Sequence, residues 1–149
     1  MNNSNTSYFM KRGISFYIFY VLISIGVLAV LYFSWISSPK LENNWLVPYK
    51  VAKWADSYEN MNLRTAIPFF FIGIFSGFLL ILKNSSLRMW IFIWVLLSLL
   101  ALLAEFGQFF RPYRIFDKGD IKWGVLGSTL GLLPIYGLFL FLKRNKRIK

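Results

Sequence analysis

Four stretches of this chain are apolar on every side: Gly13–Ile36, Thr65–Leu82, Met89–Phe110 and Gly124–Leu142. A helix at the surface of a water-soluble domain alternates, with one apolar stripe and one wet face. Here apolar residues go all round any helix drawn through the runs, so the surrounding solvent must be lipid. At ~1.5 Å per residue the runs give roughly 27 to 36 Å of helix, enough for a hydrocarbon core about 30 Å thick. The pattern predicts an all-α integral membrane protein, four transmembrane helices in one bundle, forming a single domain over residues 1–149.

Between the first two runs the pattern changes. Val47, Val51, Trp54 and Tyr58 recur at helical spacing, with Lys50, Lys53 and Asp56 between them. Pro48 suits a first helical turn. An interfacial helix from Pro48 to Tyr58 is expected, its aromatic rings at headgroup depth. Within the spans, Gly73-x-x-x-Gly77 and Gly127-x-x-x-Gly131 allow close backbone approach. Two copies on two spans favour packing within one chain over dimerisation.

The end of the third run breaks the apolar rule. Glu105, Gln108, Arg111, Arg114, Asp117 and Asp120 recur at every third position and hold half of the chain's 6 acidic residues. Every third residue drifts about 60° per step on a helix of 3.6 residues per turn, so one straight helix does not align all six. Pro112 interrupts the helix. The segment must fold back, with Gly119 expected in a tight turn, placing Arg114, Asp117 and Asp120 over Glu105 and Gln108. Ionisable residues in a span rarely face lipid and are functional candidates.

Composition narrows the chemistry. The chain has no Cys and no His. That excludes disulfides, thiolate nucleophiles, Ser-His-Asp triads and Cys/His zinc sites. The carboxylates are either neutralised by Arg111 and Arg114 or joined by an oxygen-ligated divalent cation; no metal and no cofactor is expected. The net charge of +11 belongs with membrane orientation and anionic headgroups, and no nucleic-acid partner is expected. Basic residues flank the tight connection at Lys83 and Arg88 and fill the tail "KRNKRIK". Both termini are therefore expected on the cytoplasmic side and the two longer loops outside. The first run follows Lys11 and Arg12 as a signal sequence would. It is long, however, and no small-x-small cleavage site follows, so an uncleaved anchor is expected.

Glu105-x-x-Gln108, Arg114-x-x-Asp117-x-x-Asp120, Gly127 and Gly131 together resemble the signature of the VanZ-like family, over residues 105–131. "NLRTAIPFF", from Asn62, resembles the stretch leading into an earlier span of that family. One position departs: the family has Asn four residues after the second aspartate, where this chain has Gly124. The resemblance implies a small multi-pass protein of the bacterial cytoplasmic membrane, associated with the cell envelope. The best-known member contributes to resistance against teicoplanin-type glycopeptide antibiotics.

Three functions fit these residues. One is a binding or accessory protein whose outward cluster engages membrane lipids, an anionic envelope precursor or a lipoglycopeptide. Another is a membrane enzyme with Glu105 and Asp120 as acid and base on a lipid-linked substrate. The third is a subunit docked to other membrane proteins through its interfacial helix. No activated nucleophile is apparent, which favours the first.

Overall fold

Inside a bilayer no water is available to backbone N–H and C=O groups, so each span must satisfy them along its own axis. The computed structural model describes residues 3–36, 38, 40–110 and 116–146, with side chains within 13–145, and all regular structure among them is helical. In chain order the helices are α1 (Asn3–Trp35), α2 (Tyr49–Ala55), α3 (Met61–Leu82), α4 (Leu87–Gln108) and α5 (Lys118–Lys146). Single turns of 3₁₀ helix at Leu41–Asn43 and Tyr58–Asn60 flank α2. Four of these helices, α1, α3, α4 and α5, are long and apolar enough to cross a membrane. The chain is an all-α, multi-pass membrane protein built as a four-helix bundle.

Helix ends differ from the apolar runs because hydropathy marks the part in hydrocarbon, whereas a helix continues until something stops it. Thus α1 begins at Asn3 and not Gly13, α3 at Met61 and not Thr65, and α5 at Lys118 and not Gly124. The start of α5 corrects the expectation of a tight turn at Gly119. Asp117 Oδ1 accepts the Gly119 N–H at 2.7 Å, a side-chain cap on the first turn, so Gly119 is already helical. The α3–α4 connection has its own stop. Asn84 is left-handed at φ 49°, its N–H bonds Ile81 O at 2.9 Å, and the Ser85 N–H bonds Leu80 O at 3.0 Å. This is the Schellman arrangement, with Asn in the place glycine usually takes.

Burying apolar surface against another helix gains little when lipid is equally apolar, so the spans associate through small residues and close packing. The contact between α3 and α5 is the most extensive, and α3 also touches α1 and α4. A methyl group at Gly127 would overlap the Ala66 carbonyl, and one at Gly131 the Phe70 carbonyl. Facing them, a Cβ at Gly73 would come within 2.8 Å of Ser128 O, and one at Gly77 within 2.8 Å of Ile135. Both glycine pairs therefore serve the α3–α5 contact within this one chain, with Gly73 against Gly131. Trp94 on α4 donates to Thr129 Oγ1 on α5 at 2.8 Å, adding a polar tie between apolar helices. The core runs from Val30 and Phe69 through Leu97 and Leu132 to Trp90 and Phe139.

The expected interfacial helix is present but shorter, since Pro48 precedes α2 and Tyr58 lies in the following 3₁₀ turn. Its packed face is not the large-residue stripe. Ala52 and Ala55 are the buried residues, while Tyr58 is 91% exposed. Small side chains let α2 settle close to the bundle, while Val51 and Trp54 stay about half exposed.

Candidate functional site

The C-terminal ends of α1 and α4 and the N-terminal ends of α3 and α5 meet at the end of the bundle that carries α2. Glu105, on the last turns of α4, is only 2% exposed. A carboxylate so placed needs donors on both oxygens. Gln108, one turn on, donates from Nε2 to Glu105 Oε2 at 2.7 Å, and the Asp117 N–H donates to Oε1 at 2.6 Å. The second bond comes from the capping residue of α5, so Glu105 also sits at the positive end of that helix dipole. Folding back of the chain after α4 thus brings the two helix ends together through one carboxylate.

Neighbouring contacts hold the surrounding elements. Asp120, in the first turn of α5, accepts from Thr65 Oγ1 of α3 at 2.9 Å. Arg64 pairs with Asp56 at 3.0 Å, and the other oxygen of Asp56 accepts the Glu42 N–H at 3.0 Å. One carboxylate therefore ties the loop before α2, the end of α2 and the start of α3. On the far side, Trp35 Nε1 donates to the Ala104 carbonyl at 3.2 Å. Its indole lies where a side chain at Gly107 would be, so that glycine is what lets α1 dock against α4.

These elements line a half-open cavity of about 310 Å³. Its walls are apolar: Ala29, Val30 and Phe33 from α1, Val51, Trp54 and Ala55 from α2, Phe69 and Ala101 deeper in the bundle. Polar groups gather on the side where α3, α4 and α5 converge, namely Arg64, Thr65, Glu105, Gln108 and Asp120. The result is a two-sided chamber, apolar toward α1 and α2 and hydrogen-bonding toward the other three helices.

Of the residues singled out in the sequence, Glu105, Gln108 and Asp120 line this chamber. Asp117 joins through its backbone, its exposed side chain being turned to cap α5. Arg111, Pro112 and Arg114 lie outside the described residues. Among the described residues no three acidic side chains gather closely enough to hold a metal ion. Sequence reasoning did not single out Asp56, Arg64 or Thr65. Arg64 and Thr65 stand within "NLRTAIPFF", and Arg64 is the one charge in that stretch, which was the signal available. Gly124 is a buried packing position: a Cβ there would come within 2.9 Å of Ala101 Cβ and 3.2 Å of the Phe69 ring. An asparagine side chain at that point would force the close crossing of α5 over α3 and α4 to shift.

Comparison with protein-family models, with curated proteins and with solved structures gave no match. Fold and site define a class: a four-span membrane protein with a buried acid and an amphipathic chamber at one end of its bundle.

Proposed function

We propose that this chain is a VanZ-like, non-enzymatic binding or accessory protein of the bacterial cytoplasmic membrane. Its chamber faces outward and engages an amphiphile of the cell envelope: a lipid, a lipid-linked precursor or a lipoglycopeptide such as teicoplanin. One observation carries this reading. Glu105 is buried, bonded on both oxygens, and placed beside a chamber far more apolar than its own surroundings require. A carboxylate that only closed the bundle would need no adjoining void; a ligand with a polar head and an apolar body would need both. The signature at residues 105–131 supports the same reading. A membrane enzyme using Glu105 and Asp120 as acid and base is the second reading, favoured by the burial of Glu105 at the chamber wall.

Native mass spectrometry of protein purified from bacterial membranes tests the proposal. A stoichiometric lipid-like adduct is expected on the wild type. Glu105→Gln and Arg114→Lys should accumulate normally but lose that adduct, because one changes the acceptor set and the other loses the guanidinium fork. An adduct kept by both variants, or none on the wild type, overturns it.

A further inference from the structure

The lining of the chamber shows where it opens. We propose that it fills sideways from the bilayer, taking the hydrocarbon chain of a membrane lipid through an apolar mouth framed by Val51, Trp54 and Ile67. This rests on the binding reading above and adds the route and the part of the ligand that enters.

The mouth follows from exposure. Among the described lining residues three are exposed, Val51 and Trp54 on α2 and Ile67 on α3, and all three are apolar. Glu105 and Gln108 are buried, as are Val30, Phe69, Ala101 and Ala104, so these residues belong to the closed end. Ile67 lies within the stretch of α3 that is long and apolar enough to cross the membrane, which sets the rim against lipid. The Arg64–Asp56 ion pair at 3.0 Å fixes α3 to the end of α2 and so holds the two sides of the mouth together. A molecule arriving from water would shed its hydration at an apolar rim before meeting any polar partner, whereas a lipid chain crosses that rim without such a cost.

The chain follows from size. A cavity of about 310 Å³ lies at the lower end of ligand sites, which run from roughly 300 to 1,000 Å³. Along α4 the lining runs from Ala101 to Gln108, about 10 Å of helix rise against roughly 15 Å of hydrocarbon in one leaflet. That is room for part of a single chain. An apolar void forfeits dispersion contacts and holds water poorly, and the lipid chains around the bundle are the molecules at hand to restore those contacts.

The experiment uses the full chain in phosphatidylcholine nanodiscs doped with phosphatidylglycerol that carries a diazirine near the end of one acyl chain. After photolysis, labelled positions are mapped by peptide mass spectrometry. Lipid around the bundle should label exposed positions of α4 such as Leu102, Leu103 and Phe106 in every variant. The proposal expects further labels at Val30, Phe69 or Ala101, which are buried and lie beyond the reach of that surrounding lipid. Val51→Trp and Ile67→Trp narrow the mouth and should lose these deep labels while keeping those on α4. Ile67→Ala widens it and should keep both sets, as should Leu103→Trp, on a lipid-facing position outside the chamber. Deep labels that persist in both narrowed variants overturn the mouth. Labels confined to lipid-facing positions in the wild type overturn the proposal as a whole, and this outcome decides even if the narrowed variants fail to fold. If the adduct from bacterial membranes is still present in that case, the binding reading survives and its ligand enters by another route.

Discussion

Glu105 illustrates how a single side chain is held in a place hostile to it. It accepts from Gln108 Nε2 and from the Asp117 N–H, so a leucine there strands two donors, each at a cost of about 1–3 kcal/mol. Glutamine is different: its oxygen accepts the Asp117 N–H, and a flip of the Gln108 amide turns Oε1 toward the new NH₂. We expect Glu105→Leu to melt well below the wild type in detergent and Glu105→Gln to melt near it. Equal losses in the two variants would show that the bonding pattern at Glu105 is wrong. Gly124 makes the opposite point, since its importance is the side chain it lacks. Gly124→Asn should cost about 1–3 kcal/mol by overpacking against Ala101 and Phe69, seen as a lower melting temperature. A charge in an apolar run is conspicuous, and so Glu105 was legible in the sequence. Arg64 and Thr65 stood in a stretch that was noticed, yet their roles depend on Asp56 and Asp120, which reach them only through the fold.

Whole helices were legible where lipid dictates them and illegible where capping does. The apolar runs located all four spans, because nothing but a helix satisfies a lone backbone in hydrocarbon. Their ends escaped notice, as did the true packed face of α2, because Asp117 as a cap and Ala52 as a contact carry no hydropathic signal. The α3–α4 connection gives a test of this local control. Its left-handed residue, Asn84, closes the Schellman pair of bonds. Asn84→Gly should be neutral or slightly stabilising, whereas Asn84→Val should destabilise by about 1–2 kcal/mol, since a β-branched residue resists that conformation. Thermal melts of the two variants in one detergent check both signs. Similar melting temperatures would mean that the turn contributes nothing to stability.

Across the whole molecule, chamber and chain ends lie at opposite ends of the bundle, and orientation decides which compartment the chamber serves. The proposed cytoplasmic side is the end away from α2, where Lys83, Arg88, Lys143 and Arg144 all stand. With no native Cys, single cysteines report sidedness without background. Glu59→Cys should react with an impermeant maleimide in intact cells, while Ser86→Cys and Asn145→Cys should react only after lysis; labelling of position 145 in intact cells would invert the arrangement. The pairing of α3 with α5 has a further consequence, for how the protein is made. Gly73 and Gly77 leave the ribosome well before the α5 residues they pack against, Ser128, Gly131 and Ile135, with all of α4 translated in between. Until the last span arrives, the small-residue groove of α3 lacks the α5 surface that fills it in the finished bundle. A chain halted after α4 would keep that groove open for good, and membrane proteases that survey poorly packed helices would meet it first.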